Sequence, residues 1–186
     1  MSGPAVILIG PMGAGKTSVG RRLAQRLRVP FTDLDAKIVE QAEWRSIPEI
    51  FRAEGEESFR RREAEALAAE LRTGQGVLAL GGGAPLTPSS FALLQEAPVA
   101  LLEVEASAVG ARLRRGRRPL LEGEDPLQRW QEITAERLPR YRILARWSID
   151  TTHGSADHHA RRLAELIGGT EPSTDRSTTQ RRSTNP

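Results

Sequence analysis

The chain has 186 residues, of which 38% are apolar and 27% charged. That suits one soluble domain with a tail rather than two full domains. Its longest apolar runs, Ala5–Ile9 and Val99–Leu102, are far too short to cross a bilayer, and no basic segment with an apolar stretch behind it opens the chain, so neither a membrane span nor a secretory leader is expected. The absence of cysteine excludes disulfides, thiolate zinc sites, iron–sulfur clusters and a cysteine nucleophile, and fits a cytoplasmic location. The net charge is +3. Of 27 basic residues only Lys16 and Lys37 are lysine, a bias that makes each lysine informative.

In chain order, Ala5–Gly10 reads as a strand ending in glycine, and Phe31–Asp35 as a second strand. Ala64, Leu67, Ala68 and Leu71 form a helical stripe, Gly76–Leu80 a third strand running into Gly81-Gly82-Gly83, and Val99–Val104 a fourth. Leu127, Trp130, Thr134, Leu138 and Tyr141 form a second stripe before a fifth strand, Arg146–Asp150. A last stripe, Ala156, Ala160, Leu163, Ala164 and Ile167, begins behind an N-cap at Ser155. Gly168-Gly169 closes that helix, and residues 170–186 are polar without an aliphatic side chain, which predicts a disordered tail after a domain spanning 1–169. Alternating strands and helices predict an α/β fold with a parallel sheet.

The sharpest motif is Gly10-Pro11-Met12-Gly13-Ala14-Gly15-Lys16-Thr17, a complete G-x-x-x-x-G-K-[ST] between a predicted strand and a predicted helix. Glycines let the backbone curl so that its N–H groups converge on phosphate oxygens, and the helix N-terminus adds its positive end. Lys16 is placed to reach the β- and γ-phosphates and the Thr17 hydroxyl to ligate Mg²⁺, with Gly13, Ala14, Gly15 and Ser18 completing the phosphate contacts. The segment Ala36-Lys37-Ile38-Val39 around the other lysine lacks the guanine-reading pattern of GTPases, and the chain is short for a motor ATPase; a small kinase remains.

Asp33-Leu34-Asp35 ends the second predicted strand, where residues two apart face the same side. One carboxylate there could anchor Mg²⁺ and the other accept a proton from an attacking hydroxyl; helix capping by Asp35 alone is the plainer reading. Further on stand Phe51-Arg52-Ala53-Glu54-Gly55-Glu56-Glu57-Ser58-Phe59-Arg60-Arg61-Arg62-Glu63, then Gly81-Gly82-Gly83, then Arg118-Pro119-Leu120-Leu121 behind a stretch with five arginines in seven residues, Arg112–Arg118. Gly116 and Pro119 interrupt that stretch, which predicts a mobile basic lid over about 112–125.

This ordered set resembles the shikimate kinase family over about residues 5–167. The resemblance implies a three-layer, nucleoside-monophosphate-kinase-like fold whose five-stranded parallel sheet has the order 2-3-1-4-5. It implies transfer of the ATP γ-phosphate to the 3-hydroxyl of shikimate, in aromatic amino acid biosynthesis, by a monomer with one Mg²⁺. On these positions Asp35 resembles the residue that holds the acceptor hydroxyls, and Asp33 the carboxylate on the Mg²⁺ side. Arg60 and Arg137 resemble the pair that grips the shikimate carboxylate, with Glu63 behind Arg60. Gly81, Gly82 and Gly83 resemble the strip that meets the substrate, and the resemblance places a shikimate-binding region over about 33–63. Arg118 resembles the lid arginine that reaches the transferring phosphoryl group, and Arg112, Thr152 and His153 the adenine contacts. The family pattern carries glycine where Trp44 stands.

Read by themselves, several of these positions have plainer roles: a solvated basic face for Arg60, a strand-to-loop turn for the glycines, a helix-face salt bridge to Glu132 or Glu136 for Arg137. A kinase acting on gluconate or a nucleoside monophosphate is the rival enzyme, and a silent nucleotide- or RNA-binding module the rival class. Against nucleic acid stand an aromatic content of 4% and the acidic residues Glu122, Glu124 and Asp125 directly after the arginine run. His153, His158 and His159 read as surface histidines rather than as a metal site.

Overall fold

The computed structural model describes residues 3–43, 46–113 and 125–169. The five apolar runs form strands β1 (Val6–Ile9), β2 (Phe31–Asp33), β3 (Val77–Ala79), β4 (Val99–Glu103) and β5 (Trp147–Asp150). All pair in parallel in the order β2-β3-β1-β4-β5, as the family resemblance implies. The helices are α1 (Lys16–Leu27), α2 (Leu34–Gln41), α3 (Ile47–Thr73), α4 (Pro88–Leu94), α5 (Ala106–Leu113), α6 (Pro126–Leu144) and α7 (Ala156–Gly168), with a single 3₁₀ turn at Ala84–Leu86.

The strands are apolar throughout because both faces of the sheet are covered. Val6 and Leu8 enter one core with Leu23, Trp130 and Leu163; Ile7 and Ile9 enter the other with Leu34, Leu67 and Tyr141. This period of two divides β1 between two layers of helices. Parallel strands also bring all five carboxyl ends to one edge, so the loops after β1, β2, β3 and β5 share it. No helix among the described residues is long and apolar enough to cross a membrane.

Three expectations change. The second strand stops at Asp33, not Asp35: Asp33 caps α2, its Oδ1 accepting from the Ala36 N–H at 3.5 Å, and Asp35 lies in the first helical turn. Strand alternation therefore does not relate the two carboxylates; the cap does. On α3 the buried stripe is Phe59, Glu63, Ala66, Leu67 and Glu70, only partly the apolar spacing read from the sequence. Glu63 and Glu70 are buried because each meets a cation, Arg60 and Lys37 respectively. Arg112 belongs to the last turn of α5 rather than to a loop. Residues 114–124 of the expected lid, including Arg118, lie outside the described residues, as do Trp44 and the tail; Glu43, just before Trp44, is left-handed with φ 56°.

Two glycines are conformational necessities. Gly10 has φ +140°, and a Cβ there would sit 2.3 Å from the Leu102 carbonyl oxygen, so the chain can leave β1 beside β4 only without a side chain. Gly55, at φ 79° and ψ 167°, breaks α3 in a region essentially closed to other residues. That break folds Phe51 back onto Phe59, their ring centroids 4.4 Å apart.

The third histidine departs from the surface reading. His158 is exposed, but His159 is 4% exposed, packs beneath Gly154, and neither ring nitrogen has a partner among the described residues. Burial holds its pKa below the ordinary 6.5; His158, Arg112 and Arg162 push the same way and Asp150 opposes them. The unfolded chain therefore takes up a proton below about pH 6.5 that the folded protein refuses, and stability falls with pH through that window. The variant His159→Leu should lose this dependence. Its Tm relative to the parent should rise steadily as pH is lowered from about 7.5 to 5, read by thermal unfolding at each pH.

Candidate active site

The loop after β1 is held open from three sides. The Trp130 indole N–H donates to the Met12 carbonyl at 2.8 Å, and the single Thr151 hydroxyl proton is shared between the Ala14 and Glu103 carbonyls, each at 2.9 Å. The Arg112 guanidinium donates to Gly13 O at 3.0 Å and to the Thr151 and Thr152 carbonyls at 3.0 and 3.2 Å. These partners take loop carbonyls, and although the Ala14 N–H donates to Pro11 O at 3.3 Å, other loop N–H groups are left to face an anion. Gly13 and Gly15 supply the left-handed backbone, with φ 82° and 87°. Lys16 donates to Gly10 O at 2.7 Å and Pro11 O at 3.0 Å, which sets its ammonium across the mouth of the loop. Ser18 is exposed in the first turn of α1.

The two oxygen ligands expected for Mg²⁺ come together: Thr17 Oγ1 donates to Asp33 Oδ2 at 2.9 Å. A hydroxyl and a carboxylate at the phosphate loop are hard donors of the kind Mg²⁺ takes, with phosphate oxygens and water filling the remaining positions. The donor set fits that ion.

Asp35 stands on the other side of the cleft. Burial raises its pKa above the ordinary 3.8, the Asp33 charge raises it further, and Lys16 and Arg60 pull it back. A carboxylate so placed is a stronger base than one in water. Its carboxyl occupies the space above Gly81, where a Cβ would lie 2.6 Å from Asp35 Oδ1.

Arg60 is not a solvated cation. Its side chain is 22% exposed, donates to Glu63 Oε2 at 2.8 Å, and lies 5.7 and 5.5 Å from the ring centroids of Phe51 and Phe59. Glu63 is 2% exposed; burial raises its pKa, the Asp35 charge adds to the rise, and Arg60 and Arg137 oppose it. The neighbouring Arg61 is exposed and Arg62 is spent on Glu54, so of the three consecutive arginines only Arg60 enters the site. A Cβ on Gly83 would lie 2.4 Å from its guanidinium.

Arg137 does not make the helix-face salt bridge, and Glu132 pairs with Arg129 instead. The Arg137 guanidinium reaches the Gly82 carbonyl at 3.5 Å. A Cβ on Gly82 would lie 3.8 Å from Arg137 Nη1 and 3.8 Å from Gly10 O. The backbone N–H groups of Gly81, Gly82 and Gly83 donate to no other described residue.

At the far end, Thr152 is buried and its hydroxyl oxygen accepts from the Glu105 N–H at 3.0 Å, while His153 is exposed. Arg112 and the loop after β5 are thus joined directly, and His153 stands apart from that bond. Sequence reasoning missed three supports. Trp130 and Tyr141 read as apolar stripe positions, although an indole N–H and a phenol both carry a donor that burial obliges to find a partner. Thr151 was one of four polar residues after β5 with nothing to single it out.

Comparison with known proteins agrees with this geometry. The family model for shikimate kinase matches residues 12–168. A shikimate kinase of Saccharopolyspora erythraea is 44% identical over 167 residues, covering 88% of this chain and 94% of the relative. One from Thioalkalivibrio sulfidiphilus is 46% identical over 153 residues, covering 81% and 80%. Among solved structures, the shikimate kinase of Acinetobacter baumannii in complex with shikimate superposes with a TM-score of 0.81 at 37% identity, covering 90% of this chain and 93% of that one. The shikimate kinase of Bacteroides thetaiotaomicron superposes at 0.77 with 29% identity, covering 89% and 98%. With a phosphate loop, a half-buried carboxylate and two converging arginines in one cleft, and with matches that run almost end to end, this chain belongs to the shikimate kinase family.

Proposed function

We propose that the chain transfers the γ-phosphate of ATP to the 3-hydroxyl of shikimate with the aid of Mg²⁺, giving shikimate 3-phosphate and ADP. One observation carries this reading. Asp35, Arg60 and Arg137 meet at the Gly81–Gly83 strip, and that strip abuts Gly10 O, the carbonyl that Lys16 grips at 2.7 Å. An acceptor seated on the glycines would therefore touch a carboxylate, two guanidiniums and the phosphate loop at once.

Each group has a distinct task. Arg60 and Arg137 bind the carboxylate of the acceptor, a planar anion suited to guanidinium forks. Asp35 accepts a hydrogen bond from the attacking hydroxyl and takes its proton as the new O–P bond forms and the bond from phosphorus to the β-phosphate oxygen breaks, ADP leaving with that electron pair. Lys16 and the N-terminus of α1 hold the phosphates and stabilise the charge moving toward the leaving oxygen. Thr17 and Asp33 would hold Mg²⁺, which supplies charge neutralisation at the phosphate oxygens when bound. Arg118 is proposed as the lid cation at the transferring group, and Arg112 with Thr152 as the adenine end.

The purified protein should release ADP in a manner that depends on shikimate, with gluconate and nucleoside monophosphates at background; ADP release with one of those instead would overturn the assignment. Lys16→Ala and Asp35→Asn should each fold and lose at least about 10²-fold in kcat. Since only ionised Asp35 can accept the proton, kcat/KM for shikimate should fall on the acid side through a pKa above 3.8, and an acid limb at or below that ordinary value would remove Asp35 as the base. Arg118→Ala should depress kcat by about 10³-fold or more while ATP affinity changes only a few-fold, read by pre-steady-state kinetics and nucleotide titration.

A further inference from the structure

Tyr141 is buried completely, at 0% exposure, yet it is not ordinary core. Its hydroxyl donates to the Gly82 carbonyl at 2.5 Å. Arg137, one helical turn earlier on α6, approaches the same carbonyl at 3.5 Å, the outer limit of a hydrogen bond. Two donors thus meet at one carbonyl oxygen, whose two lone pairs accept from both, and the phenol oxygen in turn accepts a hydrogen bond from Arg137. Burial raises the phenol pKa, so it remains protonated and a donor at working pH, even with Arg137, by its charge and its hydrogen bond, and Arg60 favouring the charged form.

Two consequences follow. The phenol oxygen and the Gly82 carbonyl together fix one edge of the Arg137 guanidinium, and the rest of its five donors stay available for an anion. The Gly82 carbonyl also shares a planar trans peptide with the Gly83 N–H, and the two point in opposite directions. Anchoring the carbonyl at Tyr141 therefore aims the Gly83 N–H away from the phenol, with no other described residue to receive it.

We propose that Tyr141 is a positioning residue of the acceptor site, which holds the Gly82 carbonyl so that Arg137 and the Gly83 N–H are presented to the carboxylate of the acceptor. The inference rests on the acceptor assignment made above and adds to it a residue that acts through Arg137 and the glycine strip rather than on the reacting atoms.

The test is Tyr141→Phe, which removes one oxygen and keeps the ring in the core. Without the phenol, the Gly82 carbonyl and the Arg137 guanidinium each lose a partner that fixes them. The KM for shikimate should rise about tenfold, the scale of one hydrogen bond, while kcat stays within about threefold and the KM for ATP does not change. Tyr141→Phe should add little to Arg137→Ala, because both act on the same carboxylate contact. A lower Tm or smaller active fraction with the shikimate KM within twofold of the parent would overturn the inference and leave Tyr141 as structural. So would equal losses for shikimate and ATP, or full additivity with Arg137→Ala. A parent enzyme with no shikimate-dependent ADP release would instead remove the acceptor assignment, and the inference with it.

Discussion

The site depends on missing side chains. Asp35 and Arg60 occupy the volumes that Cβ atoms on Gly81 and Gly83 would need, at 2.6 and 2.4 Å. A substituted strip would displace the Asp35 carboxyl or the Arg60 guanidinium. Because β3 pairs with β1, the strip emerges beside Gly10, and the acceptor and donor halves of the cleft share a wall. The spatial relation between the two halves is thus set by sheet pairing and by three residues without side chains.

Around that wall the charges are arranged to be usable rather than neutralised. Glu63, at 2% exposure, supports Arg60 from behind, and Phe51 and Phe59 present their faces to the same guanidinium. Two aromatic faces, the buried Glu63 and the exposed Glu56 at 3.4 Å hold the cation without consuming all its donors. Gly55 makes this possible by breaking α3 between the two rings. The motif spacing from Phe51 to Glu63 is therefore the record of a kinked helix folded about one arginine. The same logic governs the phosphate loop. Trp130, Thr151 and Arg112 engage its carbonyls, which helps to leave loop amides other than that of Ala14 for an anion.

Much of this was legible in the chain. Short apolar runs set the strands, because a strand covered on both faces must be apolar at every position. The phosphate-loop motif specified its own strand–loop–helix context, since only glycines permit that backbone. The resemblance placed Asp33, Asp35, Arg60, Arg137 and the glycines, and the fold brings all of them to one edge of the sheet. The failures were of a different kind. Asp33 and Asp35 were related by strand alternation when a helix cap relates them, because three residues of strand and the first turn of a helix look alike in sequence. His159 read as surface because a polar residue in an amphipathic helix usually is, and only packing beneath Gly154 buries it.

Sequence alone determined which groups this protein possesses: a P-loop lysine in an arginine-dominated chain, a pair of aspartates, an arginine within a Phe-Gly-Phe frame, and three consecutive glycines. These follow from local rules, in which a residue type meets a backbone conformation or a chemical need. Only the tertiary structure decided which groups face one another. Arg60 rather than Arg61 or Arg62 enters the cleft, Arg137 turns from Glu132 to Gly82, and Tyr141 takes a carbonyl from the loop after β3. Those choices join residues as many as 59 positions apart. They are made by the competition of buried donors for a limited set of acceptors, which exists only once the chain has closed around them.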